Sequence, residues 1–154
     1  MLNVKKIVVM SDSHRNDENV DLVLKLEPQA DAYLHCGDFC GDSRNYPMLN
    51  MVLGNCDYDF SLPRIMILHF EGVGIFMTHG DKITDRNKTL SRWAKDNNCQ
   101  IAIHGHTHTY IDTEVDGVRI LNPGSLSVNR DGNPLGYLVI DIDGNNYEVT
   151  RKVL

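Results

Sequence analysis

The chain has 154 residues, 42% apolar and 23% charged, and carries a formal net charge of −6. That length suits a single domain over residues 1–154, able to bury about two-thirds of its unfolded surface. The acidic balance disfavours a nonspecific grip on long nucleic acid or an anionic membrane, where a basic face is expected, although bound cations can neutralise negative charge locally.

The opening "MLNVKKIVVMSDSH" holds only a short apolar stretch. It is too short for a secretory core, and no apolar run reaches membrane-spanning length, so a cytoplasmic protein is expected. "KIVVM" (6–10) predicts a buried strand. Val20, Val23 and Leu24 at helical spacing, with Leu22 and Leu26 a turn apart, predict a helix capped by Asn16 or Asp17. "DAYLHC" (31–36) and "MLNMVL" (48–53) predict two more strands. "RIMILHF" (64–70) and "IFMT" (75–78), joined by a Gly-containing turn, predict a hairpin. Leu90, Trp93 and Ala94 mark an amphipathic helix, and "QIAI" (100–103) another strand. Beyond it, Asp116-Gly117 and Asp143-Gly144 each divide two strand-like runs, a hairpin signal. Alternating strand and helix followed by strand and turn predicts a mixed α/β layered fold.

Four cysteines (Cys36, Cys40, Cys56, Cys99) form no CxxC pair and read as free thiols of a reducing compartment. Cys36 and Cys40 read as small buried side chains rather than zinc ligands with His35. Met48, Met51, Met66 and Met77 read as core filler.

The unusual polar residues sit at strand ends. "KIVVM" runs into "SDSH", "DAYL" into "HCGD", "NMVL" into "GNCD", "GIFM" into "THGD" and "QIAI" into "HGHTH". Ligands of open α/β sheets bind at the carboxyl ends of strands, so five such clusters converge if the strands are neighbours of common sense. Their carboxylates and imidazoles suit Mn, Fe, Zn, Co or Ni better than a thiolate-preferring ion. The donors outnumber the needs of one tetrahedral ion and match two ions sharing a carboxylate, which can clamp a phosphoryl group. Gly37, Gly54 and Gly105 would let the backbone approach closely.

In this order, Asp12-x-His14, Gly37-Asp38, Gly54-Asn55-x-Asp57, His79 and Gly105-His106-x-His108 resemble the calcineurin-like metallophosphoesterase superfamily. The short length, "GNCD" and "NPGS" (122–125) look most like its small bacterial and archaeal phosphodiesterase branch. The resemblance spans residues 5 to about 128 and by extension the whole chain.

It implies a four-layer αββα sandwich, two mixed β-sheets flanked by helices, forming one metallophosphoesterase domain. It implies a dimetal phosphodiesterase in which a hydroxide between the ions attacks phosphorus. Asp12, His14, Asp38 and His108 would hold one ion, and Asp38, Asn55, His79 and His106 the other. Asp38, Asn55 and His79 would form the catalytic heart. Mn²⁺ is the first expectation, with Ni²⁺, Fe²⁺, Co²⁺ or Zn²⁺ as alternatives. The substrate would be a small phosphodiester or phosphate ester, and a homo-oligomer is left open.

Two departures stand out. Cys56 occupies a position where many members have a histidine that protonates the leaving group or holds phosphate. Arg15 stands where Gly is frequent, either binding substrate phosphate or pointing to solvent. His104 and Asp57 read as residues supporting the ligands from behind. His35 and His69 read as core or edge histidines, and residues 122–125 as a turn at the rim of the site.

The rival reading is a non-enzymatic scaffold of the same fold, as in a retromer coat subunit; seven competent donors favour catalysis. A metallo-β-lactamase-like reading starts from His104-x-His106 but fails at His108 and Thr109.

Overall fold

The computed structural model describes residues 4–154. Two five-stranded sheets carry the chain. In the first lie β1 (Lys5–Met10), β2 (Ala32–His35), β3 (Leu49–Met51), β9 (Gly136–Asp143) and β10 (Asn146–Val153), in the order β10-β9-β1-β2-β3. The second holds β4 (Ile65–Phe70), β5 (Val73–Thr78), β6 (Ile101–Ile103), β7 (Tyr110–Val115) and β8 (Val118–Pro123), in the order β4-β5-β6-β8-β7. β1, β2 and β3 run parallel, as do β5, β6 and β8, and antiparallel strands flank both triplets. Helix α1 (Asp17–Leu26) follows β1, and α2 (Arg86–Asp96) follows β5.

Side-chain alternation builds the layers. Ile7 and Val9 of β1 point between the sheets, against Leu34, Ile75, Met77, Ile101, Ile103 and Ile140. Val8 and Met10 point the other way, against Val20 and Val23 of α1. Phe76 and Ala102 leave the second sheet outward to meet Leu90 and Ala94 of α2. Both faces of β1 and β5 are therefore buried, which is why they read as unbroken apolar runs. Each inward Ile, Leu or Val contributes about 1.5–3 kcal/mol by leaving water. The expected αββα sandwich is the observed architecture.

Some boundaries differ. β2 ends at His35 and β3 at Met51, yet the Cys36 and Val52 amides still donate to Met10 and His35 carbonyls. Asn16 is the cap, its side chain accepting from the Asn19 amide. Leu22 and Leu26 of α1 are exposed, so the buried stripe is only Val20 and Val23. Met48 is exposed and Met66 only half-buried, so just two of the four expected methionines, Met51 and Met77, lie fully in the core. Asp116 and Gly117 both adopt positive φ, 51° and 84°, between paired Val115 and Val118. The last hairpin turns on Gly144-Asn145, one residue later than expected, because Asp143 pairs with Asn146.

The register positions the site. Met10 pairs with His35 and His35 with Met51; Met77 pairs with Ile103 and Ile103 with Leu121. The strand ends of each sheet are thus level.

Candidate metal centre

The loops leaving β1, β2, β3, β5 and β6 all emerge at one end of the sandwich, and side chains from all five meet there. The expected convergence occurs, but its geometry is different. Three clusters come from one sheet and two from the other, so the site bridges the sheets rather than lining one of them.

Asp12 and Asp38 stand at its centre. Asp12 Oδ1 lies 3.3 Å from His108 Nε2, 3.9 Å from His14 Nε2 and 4.0 Å from His79 Nε2. Asp38 Oδ2 lies 3.3 Å from His79 Nε2 and 3.6 Å from His14 Nε2. Asn55 Oδ1 is 2.9 Å from His79 Nε2 and 3.2 Å from His106 Nδ1. His14 and His108 bring their Nε2 atoms to 3.1 Å. All seven expected donors therefore face one small volume.

The backbone there is strained. Asp12, His14, Asp38, His106 and His108 all have φ between 46° and 69°. Non-glycine residues seldom adopt that region, and such outliers gather at functional sites. Three glycines allow the close approach, and a Cβ on Gly37, at φ 103°, would lie 2.7 Å from His79 Nδ1. A Cβ on Gly54 would run into the Asp38 carboxylate, and one on Gly105 into Ser11 Oγ and the Asp12 carboxylate.

The supporting bonds select the face each donor presents. His79 Nδ1–H donates to the Cys36 carbonyl at 2.8 Å and His108 Nδ1–H to the Val128 carbonyl at 2.8 Å. Each bond leaves Nε2 facing inward, the arrangement of metal-ligating imidazoles. Asp12 Oδ2 accepts from Ser11 Oγ at 2.5 Å and the His106 amide at 3.0 Å. Its Oδ1 is buried and lacks a hydrogen-bond partner among the described residues.

Electrostatics follow from the crowding. Burial alone would raise the Asp38 carboxyl, but His79 and the Cys56 amide outweigh it and hold it at about 2. Burial would likewise lower His79, yet Asp38 and Asp12 raise it to about 8. Burial opposes the ionisation of Asp12 too, and His108, His79 and Ser11 still lower it. His108 is raised, chiefly by the Asp12 carboxylate facing it, whereas burial and then His79 lower His106. Among the described residues the two buried carboxylates have imidazoles as their charge partners and no lysine or arginine, a setting that suits a bound cation.

The residues expected to support the ligands divide. Asp57 ties two loops together: Oδ2 accepts the Asp38 and Gly54 amides at 2.9 and 2.7 Å, and Oδ1 the Cys40 amide at 2.7 Å. His104 is buried, donates from Nδ1 to the neighbouring Gly105 carbonyl at 3.1 Å and touches no carboxylate. Cys56 is exposed beside the site; burial and then Asp38 raise its thiol, so it stays protonated near neutral pH. Arg15 is exposed, and its side chain makes no hydrogen bond or ion pair among the described residues, which is compatible with either reading of it. His35 is buried; it accepts the Gly37 amide at Nδ1, and Nε2–H donates to Ser13 Oγ at 3.0 Å. His69 is an exposed edge residue lying over Gly74.

Residues 122–125 have the expected structural role but a different depth. They lie buried beneath the site rather than at its rim. Ser125 Oγ and Ser127 Oγ donate to the Asp12 carbonyl at 2.8 and 3.0 Å, and Asn122 Nδ2 donates to the Gly105 carbonyl at 3.0 Å. The available signal was their place at the end of β8, a sixth strand end of the same kind.

The calcineurin-like phosphoesterase superfamily domain matches residues 6–145. The chain belongs to this superfamily. A probable metallophosphoesterase of Methanocaldococcus jannaschii is 34% identical over 134 residues, covering 80% of this chain and 69% of that protein. The phosphodiesterase YfcE of Escherichia coli is 30% identical over 103 residues, 60% of this chain and 52% of its own length. A solved predicted phosphoesterase of Streptococcus pneumoniae superposes with a TM-score of 0.88 at 28% identity, over 99% of this chain and 91% of that one. Vps29 of Entamoeba histolytica shares the fold, with a TM-score of 0.77 at 18% identity over 97% and 99% of the two chains. As a calcineurin-like phosphoesterase domain, the chain has Asp/His groups able to hold metal, among them Asp12/His14/His108 and Asp12/Asp38/His79, each with ligand atoms within 4.8 Å of one another.

Proposed function

We propose that this chain is a two-metal phosphodiesterase. One observation carries the reading: seven donors from five strand ends face a common gap, and the buried Asp12 Oδ1 in it lacks a hydrogen-bond partner among the described residues. Asp12, His14, Asp38 and His108 would hold one ion, and Asp38, Asn55, His79 and His106 the other, with Asp38 shared. The donor chemistry fits borderline divalent ions, with Mn²⁺ first. Bound there, such ions supply Lewis acidity to a phosphoryl oxygen and to a water.

The chain's own residues do the positioning. The Cys36 and Val128 carbonyls fix the tautomers of His79 and His108. Asp57 holds the Asp38 and Asn55 loops at one spacing. Cys56 is an exposed protic group beside Asn55, with its sulfur 3.6 Å from Asn55 Nδ2. A thiol is a weak proton donor to a leaving oxygen, so good leaving groups are favoured. Relatives named phosphodiesterase support a diester, and the net charge of −6 favours a small one over long nucleic acid. No described helix is long and apolar enough to cross a membrane. Four free cysteines fit a reducing, cytoplasmic setting.

The test is turnover of bis-p-nitrophenyl phosphate against p-nitrophenyl phosphate after loading with Mn²⁺. The diester should be preferred, and Asp38→Asn and His79→Ala should each lose about 100-fold or more, beyond the 10–100-fold typical of outer partners. Unchanged turnover in both variants would sink the assigned site. A chain that neither bound metal nor cleaved the diester would favour the scaffold reading.

A further inference from the structure

Cys40 and Cys56 reach the edge of the metal centre from two different loops. Their sulfurs and a ring nitrogen of His14 lie within 4.8 Å of one another. Cys40 Sγ is 3.5 Å from His14 Nδ1, the nitrogen on the far side of the ring from Asp12 and Asp38. Both cysteines hang from the carboxylates that order the site: the Cys40 amide donates to Asp57 Oδ1 and the Cys56 amide to Asp38 Oδ1. Cys40 adopts φ 65°, a conformation a cysteine seldom takes. Cys40 is buried, whereas Cys56 is exposed, with its sulfur 3.6 Å from Asn55 Nδ2 and beside the Asp38 carboxylate.

We propose that His14, Cys40 and Cys56 form a separate, thiophilic cation site on the edge of the metal centre, taking Zn²⁺ or Cd²⁺ in preference to Mn²⁺. Metal–sulfur and metal–nitrogen bonds of about 2.3 and 2.0–2.1 Å, opened to a tetrahedral angle, span roughly 3.6 Å between ligands. The Cys40–His14 separation already fits, and the exposed Cys56 side chain has room to close in. A Cys₂His set leaves a fourth position for water, on the solvent side. Thiolate selects against Mn²⁺ and Mg²⁺ by its softness. Coordination displaces the two thiol protons to solvent, so binding releases protons.

The site acts on the catalytic centre through His14, a consequence that rests on the proposed role of that residue there. A neutral imidazole has one lone pair. When Nδ1 binds the thiophilic ion, the ring proton sits on Nε2 and faces Asp12 and Asp38, so the catalytic ion loses a ligand. The two sites compete for one ring, and filling the thiol site inhibits.

Titration of the Mn²⁺-loaded protein with Cd²⁺ tests both parts. Sulfur-to-cadmium charge-transfer absorption should grow to about one Cd²⁺ per chain, following the single site. It should vanish in Cys40→Ser and in Cys56→Ser, because Cys36 and Cys99 are buried in separate apolar clusters. Cadmium NMR of the wild-type protein should show a resonance of two sulfur ligands, a readout independent of how the variants fold. Bis-p-nitrophenyl phosphate turnover should fall about tenfold or more as the absorption grows, the scale on which disturbed metal shells are felt. Each variant, compared with itself without cadmium, should fall much less. Absence of the absorption, or an NMR resonance of nitrogen and oxygen ligands only, overturns the site. Equal inhibition of wild type and variants overturns the competition at His14. Sulfur-bound cadmium in a chain that cleaves no diester leaves this site standing and removes the phosphodiesterase reading instead.

Discussion

At the scale of residues, the three histidines of "HGHTH" have different environments despite their spacing. His106 and His108 face the gap from opposite ends of one loop, His108 beside Asp12 and His106 beside Asn55. His104 is turned back into the protein. His104→Ala should therefore cost turnover much less than His106→Ala or His108→Ala, measured on Mn²⁺-loaded protein; an equal loss in all three would return His104 to the ligand set. Cys56 offers a complementary test. Histidine, with an ordinary pKa near 6.5, is a better proton donor at neutral pH than a thiol near 8.5. Cys56→His should raise turnover most for poor leaving groups such as alkyl esters. An unchanged ratio of alkyl to aryl substrates would discard the leaving-group argument.

At the scale of elements, the strand ends are pressed together more tightly than any one loop requires. Gly105 of the β6 loop lies against Ser11 and Asp12 of the β1 loop, and Gly54 of the β3 loop lies against Asp38 of the β2 loop. A methyl group has no room at either place. Gly105→Ala and Gly54→Ala should each displace a carboxylate and lower metal affinity about 10–100-fold, as disturbed metal surroundings do. Metal content after dialysis measures this, and full retention in both variants would show that the loops can part. The Asn122–Ser127 segment contributes in the same way. Its side chains hold the Asp12 and Gly105 carbonyls from beneath, which is why a turn-like sequence is buried.

At the scale of the whole molecule, two buried histidines link stability to pH. His35 and His104 are both lowered to about 4, first by burial. Between about 4 and the ordinary value of 6.5, the unfolded chain binds protons that the folded chain refuses. Stability rises with pH wherever the unfolded state binds more protons, so it is full above 6.5 and declines as pH falls toward 4. The loss should be on the order of 1–3 kcal/mol per ring at the low end. Urea midpoints for the wild type and for His104→Asn, from pH 7.5 down to about 4.5, check the sign. A wild-type midpoint that held constant or rose on acidification would contradict it.

Much of this molecule was legible in its sequence because the relevant signals are local. Apolar runs named the strands, since β1 and β5 are buried on both faces and alternation has nothing to alternate with. The polar clusters named the side chains that meet at the site, because Asp, His and Asn at so many strand ends are placed together by the strands that carry them. Other properties depend on neighbours remote in the chain. That three strand ends lie in one sheet and two in the other follows from pairing between distant segments, which no local period encodes. The left-handed backbone at five donors is imposed by the surrounding packing, against the preference of each residue alone. The depth of residues 122–125 and the meeting of Cys40, Cys56 and His14 likewise exist only once two sheets close over a shared end. Sequence chose the chemical groups, and tertiary contact chose which atoms of those groups face one another.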